Sequence, residues 1–164
     1  MQKKTLAILF VTLLIDMVGI GMIIPIIPII FTDPTSPSFL LVGYSQDHQY
    51  LLAGLLTALF GFMQFLGAPL LGELSDVYGR KRLLSLGVGV LALSQLLFGF
   101  GIEIGSLALL FFSRAVAGLG GANFSIAQAS IADITEPRDR AKNFGLIGAA
   151  FGIGFILGPT LGGW

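Results

Sequence analysis

Five stretches of the chain stay apolar for about the 20 residues that a helix, rising 1.5 Å per residue, needs to cross a hydrocarbon core of ~30 Å. The first runs from Thr5 to Phe31 and is interrupted only by Asp16; the second runs from Tyr50 to Gly72, and the third from Leu83 to Ile102. The fourth, about Gly105 to Ala132, holds a single charge, Arg114, and the fifth, from Asn143, is still apolar at Trp164. The pattern predicts an all-α integral membrane chain with spans at about 5–31, 50–72, 83–102, 105–132 and 143–164.

The polar positions between the runs set the orientation. Lys3 and Lys4 precede the first run, and the connection from Thr32 to Gln49 has neither Lys nor Arg. Arg80, Lys81 and Arg82 follow the second run, the turn at Glu103 has no basic residue, and Arg138, Arg140 and Lys142 follow the fourth. Basic connections alternate with neutral ones, as the positive-inside rule requires, so the N-terminus is expected in the cytoplasm. Tyr44, Tyr50, Tyr78 and Trp164 fall at predicted interfaces, where amphipathic rings prefer to sit. The first run is too long for a signal peptide, carries an acid at its centre and lacks a small-x-small cleavage site, so it is expected to be retained.

Composition narrows the classes. Apolar residues make up 55% of the chain and charged residues only 11%, against roughly 25% charged in a soluble domain. The formal net charge of zero gives no footprint for nucleic acid. With no Cys, thiolate metal sites and Cys nucleophiles are excluded. No metal-ligand cluster, phosphate-cradling Gly loop or Ser-His-Asp set is legible, so neither an enzyme nor an ATP-driven pump is expected. His48 reads as a solvated loop residue. The 23 glycines suggest helices packed backbone to backbone.

Gly72-Glu73-Leu74-Ser75-Asp76-Val77-Tyr78-Gly79-Arg80-Lys81-Arg82 reads as a helix ending, a tight turn and a basic cluster. Gly72 would admit a neighbouring helix closely. Asp76 could accept from free backbone N–H groups or pair with Arg80, and Gly79 supplies a turn conformation other residues tolerate poorly. The spacing G-x-x-x-D-x-x-G-R-K-R resembles the loop between the second and third helices of the major facilitator superfamily. That resemblance implies a cytoplasmic gate built on Gly72, Asp76, Gly79, Arg80, Lys81 and Arg82.

In the fifth run, Gly145, Gly148 and Gly152 share one helical face and Gly154, Gly158 and Gly162 roughly the opposite one, so both faces are expected to take close neighbours. Pro159 should bend the helix. The sequence Gly154 to Gly163, with Pro159, Gly162 and Gly163 at its end, resembles the fifth-helix signature of the superfamily's proton-driven exporters.

Asp16 and Arg114 are the charges at bilayer depth. Such a group costs roughly 2.5–3.5 kcal/mol on insertion scales and normally faces a bundle interior. Asp16 lies about 16 Å above the start of its run and Arg114 about 27 Å above Asp133. Those depths leave open a structural ion pair, an outward-snorkelling Arg114, or a protonation site at Asp16. Arg114-Ala115-Val116-Ala117-Gly118 resembles the superfamily's fourth-helix R-x-x-x-G signature, and Asp16 falls at the acidic position of the first-helix signature of its drug exporters. The resemblance thus implies proton coupling at Asp16 and Arg114, with Gly118 as a packing position. Gln64, Gln95, Asn123 and Gln128 either line a substrate cavity or bond across helices; the sequence leaves both readings open.

The likeness spans the chain and resembles most the tetracycline-resistance-type drug/proton antiporters, notably at Ala132-Asp133-Ile134-Thr135. It implies a major facilitator fold, of which this chain would be the first five transmembrane helices of an incomplete N-terminal six-helix half. It further implies an inner-membrane secondary transporter, driven by the proton gradient without a cofactor, that exports an apolar or cationic drug-like molecule. Its partners would be that small molecule, the bilayer and a C-terminal half of the same protein. A metabolite facilitator or symporter of the same fold, and a non-transporting scaffold or receptor, are the alternatives. Tetracycline pumps carry an acid in the third helix where this chain has Ser94-Gln95, which argues against tetracycline itself as the substrate.

Overall fold

The computed structural model describes residues 2–121 and 123–163; the interface expected at Trp164 lies outside them. The helices are α1 (Gln2–Phe31), α2 (Gln46–Tyr78), α3 (Arg80–Glu103), α4 (Leu107–Gly120), α5 (Asn123–Ile134) and α6 (Arg140–Gly162), with a 3₁₀ turn at Pro137–Asp139. Among the described residues, five helical stretches are long and apolar enough to cross a membrane, α4 and α5 together forming the fourth.

Three boundaries differ from the sequence expectation. First, α2 does not end at Gly72 but runs on to Tyr78. Glu73 to Tyr78 lose apolar character without any residue that breaks a helix, so the helix outlasts the hydrophobic run. Gly79 alone makes the turn at φ +93°, a region that strains any residue with a Cβ, and α3 starts at Arg80. Second, the fourth span is not continuous. Its halves are 14 and 12 residues long, with Gly121 at the junction. Gly118, Gly120 and Gly121 crowd that junction, and glycine is the poorest helix former after proline. Third, the last helix begins at Arg140, ahead of the apolar run at Asn143, after a 3₁₀ turn that starts at Pro137.

Glycine decides which helices approach closely. On α6, a Cβ built on Gly158 would lie 2.6 Å from Gly21 Cα of α1, and Gly154 and Gly162 press on Met17 and Met22 in the same way. Gly67 and Gly118 do likewise between α2 and α4, where a Cβ on Gly118 would meet Met63 Cβ at 2.7 Å. The expectation that both faces of α6 are filled fails in this chain: Gly145, Gly148 and Gly152 face open space, as does Gly72. Gly163 lies just past the end of α6 and meets only its own helix, at the Pro159 carbonyl.

The interior divides into two apolar clusters. Leu9, Leu13, Leu83, Leu84, Ile131 and Ile147 belong to one, toward the end carrying the basic residues. Ile23, Ile27, Phe31, Leu56, Phe98 and Leu110 belong to the other, at the far end. The far-end loop closes over the second cluster through Leu41, which is wholly buried. In that loop the Asp33 carboxylate accepts from the Thr35 N–H and hydroxyl, and these bonds hold its pKa below the usual carboxylate value.

Candidate functional site

Between the two clusters lies a polar layer, and it contains most of the residues singled out from sequence. Asp16 and Arg114 are only 4% and 3% exposed, so neither side chain faces lipid. They do not pair directly. The described ion pairs are Arg80 with Asp76 and Asp133, and Arg138 with Glu136 and Asp139.

Instead, amides connect the two charges to the surrounding helices. Asn123 Nδ2 donates to Asp16 Oδ1 at 3.3 Å, joining α5 to α1. Arg114 Nη2 donates to Gln95 Oε1 at 2.7 Å, and Gln95 Nε2 donates to the Gly19 carbonyl at 2.6 Å. Three residues beyond Asp16, therefore, α1 is tied through one amide to α3 and α4. The guanidinium also lies over the Phe98 ring, 4.7 Å from its centroid, and 5.8 Å from that of Phe60. Such ring contacts favour a cation that has left water.

The junction of α4 and α5 belongs to the same layer. A broken span leaves backbone groups that lipid cannot satisfy. Gln64 Nε2 of α2 donates to the Gly121 carbonyl at 2.9 Å and satisfies one of them. Among the described residues, two side-chain atoms remain buried without a partner, Arg114 Nε and Asn123 Oδ1. Gln128, the fourth amide singled out, is half-buried on α5.

Two clefts flank this layer. One, of about 610 Å³, is lined by Ile20, Ile24 and Ile27 of α1, Thr57 and Phe60 of α2, and Arg114. The other, about 310 Å³, shares Ile20 and Phe60 and adds Gln64, Ser125, Phe151 and Phe155. Together they form one mostly apolar face in which, among the described residues, Arg114 is the only charged one.

At the basic end, Arg80 is held by two carboxylates, Asp76 Oδ1 at 3.0 Å and Asp133 Oδ2 at 2.8 Å. The spacing that drew attention to Asp76 and Arg80 contained no sign of Asp133, which lies 53 positions after Arg80 in sequence (133 − 80). Asp133 stood out at the end of the fourth apolar run and within Ala132-Asp133-Ile134-Thr135, but neither signal tied it to Arg80. Lys81 and Arg82 are exposed beside this junction.

Comparison with known proteins agrees with this architecture. A family model described as the Major Facilitator Superfamily matches residues 9–164. Over 99% of its length the chain is 37% identical to tetracycline resistance protein class H of Pasteurella multocida and 38% identical to class C of Escherichia coli. It is 34% identical over 99% of its length to multidrug resistance protein 2 of Bacillus subtilis. The chain spans about 38% of the length of the two tetracycline resistance proteins and 37% of the third. With five apolar spans, a buried acid and guanidinium between two apolar clusters, and a family match from residue 9 to the last residue, the chain belongs to the Major Facilitator Superfamily.

Proposed function

We propose that the protein containing this chain is a proton-driven exporter of drug-like molecules in the cell's inner membrane, with its N-terminus in the cytoplasm. The observation that carries this reading is Asp16: a carboxyl enclosed at bilayer depth, bonded to an amide at a break in the fourth span, close to an apolar cleft. A carboxyl there is costly to keep and suited to exchanging protons with a water-filled path. Arg114 supplies the compensating charge through Gln95 and α1 rather than by touching Asp16. The proton gradient is the energy source, and no cofactor takes part.

Arg80 with Asp76 and Asp133 is the gate. Asp76 and Asp133 are 66% and 57% exposed, and exposed pairs are worth about 0–1 kcal/mol each. Both pairs lie within this half, and at that strength Arg80 or Asp76 can exchange partners with the other half as the two rock around the site. The apolar face lined by Ile20, Phe60 and Phe155 would hold an apolar substrate, with Gln64 and Ser125 as its polar contacts.

Inverted membrane vesicles bearing the full-length protein test this with the cationic dye ethidium as probe. An imposed proton gradient should drive dye accumulation, and Asp16→Asn should reduce it to the level of vesicles lacking the protein. Accumulation that persists after the gradient is collapsed would indicate a facilitator instead. Unchanged uptake in Asp16→Asn would reject Asp16 as the proton carrier.

A further inference from the structure

Asn123 has an environment that cross-helix bonding alone does not explain. Its side chain is fully buried, at 1% exposure. One end of the amide donates to Asp16, and the other, Oδ1, is buried with no partner. The niche is built by Gly87 of α3: a Cβ there would overlap the Asn123 amide, so only glycine leaves it room. An orphaned buried acceptor is costly, and an apolar side chain of similar volume would avoid that cost.

The two ends of an asparagine amide have nearly the same shape and opposite hydrogen-bonding character. The same niche therefore accepts the amide in either orientation. With Asp16 ionised, Nδ2 must face the carboxylate, because a carboxylate only accepts. With Asp16 protonated, its O–H is a donor and needs an acceptor, which a half-turn of the amide supplies as Oδ1. In the second arrangement Oδ1 is satisfied and Nδ2 takes its place beside Gly87, so the unsatisfied end of the amide changes identity with the proton.

We infer that Asn123 is the positioning residue that reads the protonation state of Asp16, turning its amide when the proton arrives and passing the change to the α4–α5 junction. Asn123 is the first residue of α5, two positions beyond Gly121, whose carbonyl is held by Gln64. The proton enters from water onto an Asp16 oxygen and leaves to water; no other bond is made or broken covalently. From the remaining elements packed on this turn of α1, α3 presents Gln95 and α6 presents Gly154, neither of which titrates. Arg114 on α4 is the only other charge at this depth and is engaged with Gln95.

This inference rests on Asp16 as proton carrier, and infrared difference spectroscopy of the full-length protein in lipid separates the two. A pH step should produce a protonated-carboxyl band that disappears in Asp16→Asn. With ¹³C-carbonyl asparagine, the same step should shift one side-chain amide band, absent in both Asp16→Asn and Asn123→Ala. A titrating Asp16 with no shifted asparagine band overturns the role of Asn123 and leaves the exporter intact. No titrating carboxyl at all overturns the exporter reading first. In vesicles, Asn123→Ser, which can both donate and accept, should keep gradient-driven ethidium uptake, whereas Asn123→Leu should lower it about ten-fold. Equal uptake in the Ser and Leu variants would also overturn the proposal; should the Leu variant fail to fold, the asparagine band decides, and a shift that persists in Asn123→Ser would overturn the proposal because it would belong to another asparagine.

Discussion

Gln64 and Gln95 each hold a main-chain carbonyl on another helix, Gly121 and Gly19 respectively. Gly19 lies within α1, whose own ladder also uses its carbonyl, whereas Gly121 lies outside α4 and α5 and depends more on its glutamine. Gln64→Leu, which nearly conserves volume, should therefore cost about 1 kcal/mol and lower the thermal unfolding midpoint in detergent. An unchanged midpoint would mean that the Gly121 carbonyl finds another donor. At this scale the sequence was legible only in part. The polar residues within the apolar runs could be seen, and so could the need for partners in lipid. Whether a glutamine meets substrate or backbone depends on where carbonyls are exposed, and that depends on a helix break no apolar run reveals. Likewise, counting residues along the axis set Asp16 and Arg114 roughly 11 Å apart in depth and left a pairing open, but it could not give the rotation about each axis that places Gln95 rather than Asp16 against the guanidinium.

Helix faces were more legible than helix ends. The glycine spacing on α6 drew attention to Gly154, Gly158 and Gly162, the glycines that press on α1, because a period of 3.6 residues follows from backbone geometry. It could not say that the opposite glycines would face open space, since that depends on what else is present. The filled face yields a sharp expectation. Gly158→Leu must push α6 away from Gly21, where overpacking costs about 1–3 kcal/mol or more when backbone has to move. The yield of folded protein on size-exclusion chromatography should fall several-fold, while the wild-type level would show that α1 and α6 separate easily. The end of α2 shows the opposite limit. Apolar character stops near Gly72 because the bilayer does, yet the helix continues to Tyr78 because its backbone hydrogen bonds do not depend on lipid.

Across the whole molecule, the few charges fall at the ends of spans or in the single polar layer between two apolar clusters. If the basic end lies in the cytoplasm, a cysteine at position 3 or 142 should react with an impermeant maleimide only in inverted vesicles, and one at position 47 only in intact cells. The reverse pattern would turn the proposed exporter around. The break at Gly121 also bears on how the chain enters the bilayer at all. Pieces of 14 and 12 residues are about 21 and 18 Å long, each shorter than the ~30 Å hydrocarbon core. The first of them also carries Arg114. During synthesis, this span should be a poor passenger on its own, retained by the translocon only once the first three spans are there to receive it. Residues 105–136 translated alone should insert less efficiently than the same residues behind the first 104, and equal insertion would show that the span needs no helper.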